Sequence, residues 1–311
     1  MPELRIVFMG TPDFAVPTLQ ALVEHHYNVV AVITAPDKPA GRGQKIQQSP
    51  VKEYAVSQGI PVLQPTNLKS EAFLEELRSY QANLQIIVAF RMLPEVVWAM
   101  PELGSFNIHG SLLPAYRGAA PINWAIINGE KETGVTSFFL KHEIDTGDLI
   151  FQDRVPILEE DDFGSMYEKL KHQGAELAVR TVQAIEQGNV QSQPQQATSE
   201  TKHAPKIFKE TCEINWNQPA RQVRDFIRGL SPYPAAWTRF DGKTFKIFKT
   251  EVLEDSSYTL APGQLKTDNK TYLHVQTAEG VLAIQDLQME GKKRMPVQDL
   301  LRGYTFKTEQ A

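Results

Sequence analysis

The feature that most constrains the fold is an alternation of short β-rich runs with helical patterns through the first half of the chain. Arg5 to Met9 reads as one strand and Val29 to Thr34 as the next. Between them, Thr11-Pro12-Asp13 supplies an N-cap, a proline at the first helical position and an acid in the first turn. Phe14, Leu19, Leu22 and Val23 then follow at helical spacing. A strand, a helix and a strand in that order make a parallel crossover unit. Val62–Leu63, Leu84 to Phe90 and Ser105 to His109 continue the series, and the nearly all-apolar run from Leu84 suits a central strand covered on both faces. Helices are expected over 51–58, 70–80, 94–99 and 119–128, so the expected fold is α/β, with an N-terminal Rossmann-like, mostly parallel sheet.

Strands near 135–140 and 149–157 precede an amphipathic pattern from Phe163 to about Ile185, with Met166, Leu170, Leu177 and Ile185 on one stripe. Residues 189–205 are polar and poor in large apolar side chains, as a linker is. Beyond them one helix near 218–229 is followed by short alternating runs at Trp237–Phe240, Thr244–Lys249, Tyr272–Gln276 and Val281–Gln288. That pattern predicts a small β-barrel, OB-like in architecture. The expected organisation is a catalytic domain over 1–188, a linker over 189–205 and a second domain over 206–311.

No apolar run approaches the roughly 20 residues that span a bilayer, and the N-terminus lacks the pattern of a secretory leader, so no membrane partner and a cytoplasmic location are expected. The single cysteine, Cys212, cannot form an intramolecular disulfide and has no neighbouring ligand pattern for a metal. Nothing in the chain calls for an obligatory protein partner. The net charge of −5 argues against a protein that coats nucleic acid nonspecifically. Its distribution is uneven. Residues 1–205 carry 16 basic against 24 acidic side chains, whereas residues 206–311 carry 16 against 13. Such an excess suits an RNA-contacting appendage, through Lys206, Lys209, Lys243, Lys246 and Lys249 on phosphates, and equally suits a merely solvated surface.

A crossover unit at the N-terminus raises the question of a nucleotide site. A dinucleotide turn needs three glycines so that backbone N–H groups can approach the pyrophosphate. In Met9-Gly10-Thr11-Pro12-Asp13 only Gly10 is present, Pro12 removes a donor, and Asp13 sets a carboxylate where phosphate charge would lie. The turn is therefore read as a capped turn.

The chemistry concentrates in the stretch from Phe106 to Trp124, at the carboxyl end of an expected strand, where open α/β sheets place their ligands. Residues two apart in a strand share a face, so Asn107 and His109 project together while Ile108 faces the other way. Spacing alone leaves both a structural and a catalytic reading of His109 open. Asp145-Thr146-Gly147, in the loop Lys141 to Asp148, is by itself a common turn. The segment 36–50, with Lys38, Arg42 and Lys45 among Pro39, Gly41 and Gly43, is long for a connection and alone reads equally as a flexible loop.

Taken together, Asn107-Ile108-His109-Gly110-Ser111-Leu112-Leu113-Pro114 and Asp145-Thr146-Gly147-Asp148 closely resemble the folate-dependent formyltransferase family. The resemblance extends to Met9–Ala15, Pro36–Gly43, Ser49–Lys52, Arg117–Pro121 and the C-terminal domain. It implies that Asn107, His109 and Asp145 form a catalytic triad, that 10-formyltetrahydrofolate is the formyl donor, and that the acceptor is the amino group of initiator methionyl-tRNA. An amino-sugar nucleotide or a purine precursor is the alternative acceptor. It also makes Phe90, Arg91, Met92, Leu93, Ser111, Leu112, Leu113 and Pro114 the walls of the folate pocket, and the Arg42 loop, with Lys38 and Lys45, the contact to the tRNA acceptor end. Two departures stand out: Phe90-Arg91 where the family commonly has Tyr-Gly, and Glu143-Ile144 where Gly-Leu is usual. Lost glycine restricts positive φ, so the path of the pterin-side loop is the feature to examine.

The chemistry implied is attack of an unprotonated amine on a formyl carbon. Asn107 and a donating His109 would stabilise the oxyanion, with Asp145 orienting His109 and relaying the proton through bound water. No metal is required, and neither Cys212 nor Ser111 shows an activating partner for a covalent route.

Overall fold

The computed structural model describes residues 3–40, 45–199, 201–254 and 258–307. They divide into two compact units, one of residues 1–118, 133–156 and 167–203, the other of 119–132, 157–166 and 204–311. Among the described residues no helix is long and apolar enough to cross a membrane.

The first unit is built on β1 (Ile6–Gly10), β2 (Val29–Ile33), the short β3 (Lys38–Ala40) and β4 (Lys45–Gln47), β5 (Val62–Leu63), β6 (Leu84–Val88), β7 (Ser105–His109), β8 (Arg117–Gly118), β9 (Glu132–Phe139) and β10 (Leu149–Pro156). Seven of these form one sheet in the order β10-β9-β7-β6-β1-β2-β5. The β1–β2, β1–β6, β2–β5 and β6–β7 pairs are parallel, and β9 adds to β7 antiparallel. The chain moves to one side after β1 and to the other after β6. In such sheets ligands usually bind beyond the carboxyl ends of the strands at that reversal.

β1 is buried throughout, with Ile6, Val7, Phe8 and Met9 at 0% exposure. Each large apolar side chain so placed contributes about 1.5–3 kcal/mol. The helix Glu71–Ser79 closes one face by burying Phe73, Leu74 and Leu77 against Val7, Met9 and Ile87. Gly10 ends β1 because a Cβ there would lie 2.7 Å from that of Ala15 and 3.1 Å from the carbonyl oxygen of Val88. Only glycine lets the first helix follow so closely, and the residue serves packing, not phosphate. The 36–50 segment contains a hairpin, β3 against β4, with Lys38 opposite Gln47. Its base is tied by Lys52, which donates to Asp37 at 2.6 Å and to Gln64 at 2.9 Å.

After the long helix Phe163–Glu186 comes β11 (His203–Ala204), and the second unit then holds β12 (Ala236–Phe240), β13 (Lys243–Leu253), β14 (Leu265–Thr267), β15 (Leu273–Gln276), β16 (Val281–Met289) and β17 (Met295–Pro296). β12 to β17 form an antiparallel sheet in the order β12-β13-β16-β15-β14, with β17 also on β16, as the alternating runs predict. Breaks in the pairing of β13 around Lys249 accompany its curl into a half-barrel. Phe240, Phe245 and Phe306 fill the concave side with Val223 and Ile227 of the helix Ala220–Leu230.

Candidate active site

β7 runs between β6 and β9, with Asn107 opposite Ile87 on one side and Phe138 on the other. Ile108 is 2% exposed and faces the long helix, where a Cβ on Gly174 would lie 3.1 Å from its methyl. Asn107 and His109 therefore point to the opposite face. The Asn107 Oδ1 is buried without a hydrogen-bond partner. A buried acceptor of this kind is open to a donor from water or from a ligand.

His109 is 7% exposed, and its Nε2 lies 2.8 Å from the carbonyl oxygen of Tyr116. A carbonyl only accepts, so Nε2 carries a proton and donates. The Nδ1 edge faces Asp145, whose Oδ2 is 3.8 Å away. That gap is too long for a direct hydrogen bond. Asp145 Oδ2 accepts from the Gly118 N–H at 3.0 Å. Its backbone is left-handed, with φ at 55°.

Phe90, Arg91, Glu143 and Ile144 are not among the residues of positive φ, which in these two loops falls instead on the neighbouring Ala89, at 48°, and Asp145. The two departures from the family pattern thus sit beside the strained positions, not on them. Aspartate tolerates this region better than most residues.

Ser111 is fully buried and donates to the carbonyl oxygen of Ala115 at 2.7 Å, and Leu113 is 2% exposed. Leu112 and Pro114 are half-buried. The turn they share is cinched from β9 and β10. Thr136 donates to the Ser111 carbonyl at 2.6 Å and accepts from the Leu113 N–H at 3.2 Å and from Gln152 at 2.9 Å. Gln152 also donates to the Leu113 carbonyl at 2.8 Å. Sequence reading missed Thr136, Gln152 and Tyr116; all three act through contacts that no local pattern signals. On the β6 side, Phe90 is half-buried, Leu93 is in the core and Met92 is 68% exposed. The Arg91 guanidinium lies over the Phe90 ring at 5.7 Å and donates to the carbonyls of Thr66, at 3.2 Å, and Pro65. It braces the loop from beside the apolar wall.

Lys38 is exposed on β3, Lys45 lies on β4, and Arg42 lies outside the described residues. Hydrogen bonds from Lys52 and then Gln64 hold the Asp37 carboxyl below its usual range. In the second unit Lys206, Lys209, Lys243, Lys246 and Lys249 are all exposed. Lys246 is paired across the strands with Trp237, whose ring lies 5.9 Å from the Arg239 guanidinium and whose Nε1 donates to the Lys209 carbonyl at 2.8 Å. Lys243 covers the Tyr304 ring at 4.8 Å and Lys206 the Phe208 ring at 5.5 Å. Lys249 stands opposite Asp286 and lines a cleft of 660 Å³ with Arg221 and Arg294. Trp237 and Arg239 neighbour Lys246 on this strand pair, which the count of lysines did not reveal.

A fold of this topology, with an amide, an imidazole and a carboxylate gathered at the sheet's carboxyl edge, defines a class. The sequence matches the formyl transferase family over residues 4–182 and the formyl transferase C-terminal domain over residues 206–305, and the chain belongs to that family. Its full-length relatives carry a narrower name: methionyl-tRNA formyltransferase of Bacteroides fragilis is 58% identical over 310 residues, covering 97% of this chain and 95% of that protein. The protein of the same name from Parabacteroides distasonis is 56% identical, covering 97% and 96%. Among solved structures, WlaRD, a sugar 3N-formyl transferase, aligns with a TM-score of 0.68 at 20% identity, covering 94% of this chain and all of that one. HypX from Aquifex aeolicus in complex with tetrahydrofolic acid aligns at 0.65 and 19%, covering 96% of this chain, which spans about half (47%) of HypX. Methionyl-tRNA formyltransferase from Clostridium thermocellum aligns at 0.56 and 14%, covering 81% and 95%. These structural likenesses establish the fold.

Proposed function

We propose that this enzyme transfers the formyl group of 10-formyltetrahydrofolate to the α-amino group of methionine on initiator tRNA, giving the formylated tRNA used to begin translation in the cytoplasm. The observation that carries the reading is the unpartnered Asn107 Oδ1 beside His109 and Asp145, together with full-length relatives of that name. The amine nitrogen attacks the formyl carbon, the carbonyl electrons move onto oxygen, and collapse breaks the bond from carbon to N10 of the folate. One proton leaves the amine and one reaches N10. The Asn107 oxygen accepts from the attacking amine while its NH₂ donates to the formyl oxygen. His109, with Nε2 committed to Tyr116, offers a proton at Nδ1 to the same oxyanion. Asp145 balances the imidazolium and relays the amine proton through water.

Folate is a substrate here, and the residues suit it. Its pterin lies against the Phe90-to-Leu93 wall and the Ser111-to-Pro114 turn, whose half-buried members, Phe90, Leu112 and Pro114, supply apolar surface. In this reading residues 1–188 carry the chemistry, 189–205 connect, and 206–311 bind tRNA through the exposed lysines. Arg42, Lys38 and Lys45 meet the acceptor end.

The test is incubation with charged initiator tRNA and 10-formyltetrahydrofolate, followed by mass analysis of the released amino acid, with an amino-sugar nucleotide as the parallel acceptor. Formylmethionine is expected. Folded protein that yields none, or that formylates only the sugar nucleotide, overturns the reading.

A further inference from the structure

We propose that Gln195, inside the polar stretch that follows the long helix, is a positioning residue of the active site, acting with Arg117 to hold the Asp145 loop in its working conformation. The inference rests on the reading of Asp145 given above. The Gln195 carboxamide is used at both ends. Its Nε2 donates to the carbonyl oxygens of Asp145 and Gly147, each at 2.8 Å. Its Oε1 accepts from Arg117 Nε at 3.1 Å and Nη2 at 2.7 Å, a charge-assisted fork.

Asp145 needs such a holder. Its φ of 55° is left-handed, a region that aspartate enters more readily than most residues but that a surrounding turn has to fix. Two carbonyls, two residues apart, converge on one NH₂ only when the loop is tightly turned, and Gly147 folds back so closely that a Cβ would lie 1.5 Å from the Phe139 carbonyl oxygen. The carboxylate is tied to the same place from the other side: Gly118, next to Arg117, donates its N–H to Asp145 Oδ2 at 3.0 Å. The side chain and the backbone of Asp145 are thus both referred to Arg117–Gly118, one directly and one through Gln195. Gln195 itself is fixed two residues earlier, where Gln193 and Leu149 exchange backbone hydrogen bonds of 2.8 and 2.9 Å. Among the described residues the Gln195 carboxamide bonds the Asp145 and Gly147 carbonyls and Arg117, so it reaches the site through the Asp145 loop.

Gln195→Met keeps the length and removes every hydrogen bond. The expected result is a fall in kcat of about tenfold, the scale of a slightly misplaced catalytic group, with KM for both substrates within about twofold and thermal stability little changed. In an Asp145→Asn background the same substitution adds less than about twofold, because the two act as one unit. Hydrogen exchange at the Gly118 amide, which reports the carboxylate's place without turnover, speeds up in Gln195→Met. Arg117→Lys, which keeps one contact of the fork, is the milder second variant and falls between. A Gln195→Met kcat within twofold of wild type, losses that multiply with Asp145→Asn, or an unchanged Gly118 amide overturns the proposal. Wild type lacking formylation altogether is a failure of the functional reading, and the exchange measurement still decides the clamp.

Discussion

The carbonyl oxygen of Tyr116 accepts a hydrogen bond from His109 Nε2 at 2.8 Å, and this contact turns the Nδ1 edge toward Asp145. In the proposed mechanism the Nδ1 edge also serves the reacting atoms. His109→Ala is expected to lower kcat by about 10² to 10⁴, the range for a positioned acid or base, while tRNA binding measured by filter retention stays near wild type. A variant within threefold of wild type removes His109 from the mechanism.

Asn107 carries an acceptor that the folded protein leaves unpaired. Asn107→Ala is therefore expected to keep stability at, or up to about 1 kcal/mol above, that of wild type, seen as an unchanged or slightly higher melting temperature. Turnover falls by about 10² to 10³. Calorimetry beside steady-state kinetics separates the two effects; a clear drop in melting temperature would place Asn107 in the scaffold.

Gly147→Ala meets the Phe139 carbonyl with no flexible side chain to yield. The loop must shift, destabilising by about 1–3 kcal/mol and costing activity more than the stability loss explains. Denaturant unfolding and kcat, taken on the same preparation, check this.

Burial pushes the His274 imidazole below its usual range, against an opposing pull from the Asp268 carboxylate. Its Nδ1 lies 2.8 Å from the Tyr258 hydroxyl. The unfolded chain takes up the proton near the ordinary value of about 6.5, before the folded chain does, so this contribution to stability is complete above that pH and is lost as pH falls through the folded value. Between pH 7.5 and 5.5 the melting temperature is expected to fall less in His274→Gln than in wild type. Parallel pH dependences would show that the imidazole is not the titrating group.

Lys246 stands beside the Trp237 ring and Arg239 on one exposed face. If these groups meet phosphates, replacing Lys243, Lys246 and Lys249 by alanine weakens tRNA binding equally for initiator and elongator species and lowers the salt slope by roughly one per lost phosphate contact. Titrations at several salt concentrations give that slope; an unchanged value assigns the lysines to solvent.

Much of the site was legible in the chain because its signals are local. Period-2 alternation puts Asn107 and His109 on one face of β7 whatever surrounds it, and the apolar run from Leu84 required a buried neighbour. Asp145 was legible only through its resemblance to a family motif, since Asp-Thr-Gly is by itself a turn. The 36–50 segment read as a loop and contains a hairpin, because three-residue strands carry too little pattern to be seen.

Sequence by itself determined the alternation of strands and helices, the polar stretch before a β-rich second half, and the residue types gathered at one strand end, since each follows from periodicity and composition over neighbouring residues. Tertiary structure decided the order of the strands and the reversal between β1 and β6, the His109 nitrogen tied to Tyr116, and the contacts of Gln195. The polar stretch read as a linker carries a side chain that reaches Arg117, 78 residues earlier, and Asp145, 50 residues earlier. Hydrogen bonds over such separations depend on how distant segments are brought together, and no local preference encodes their partners.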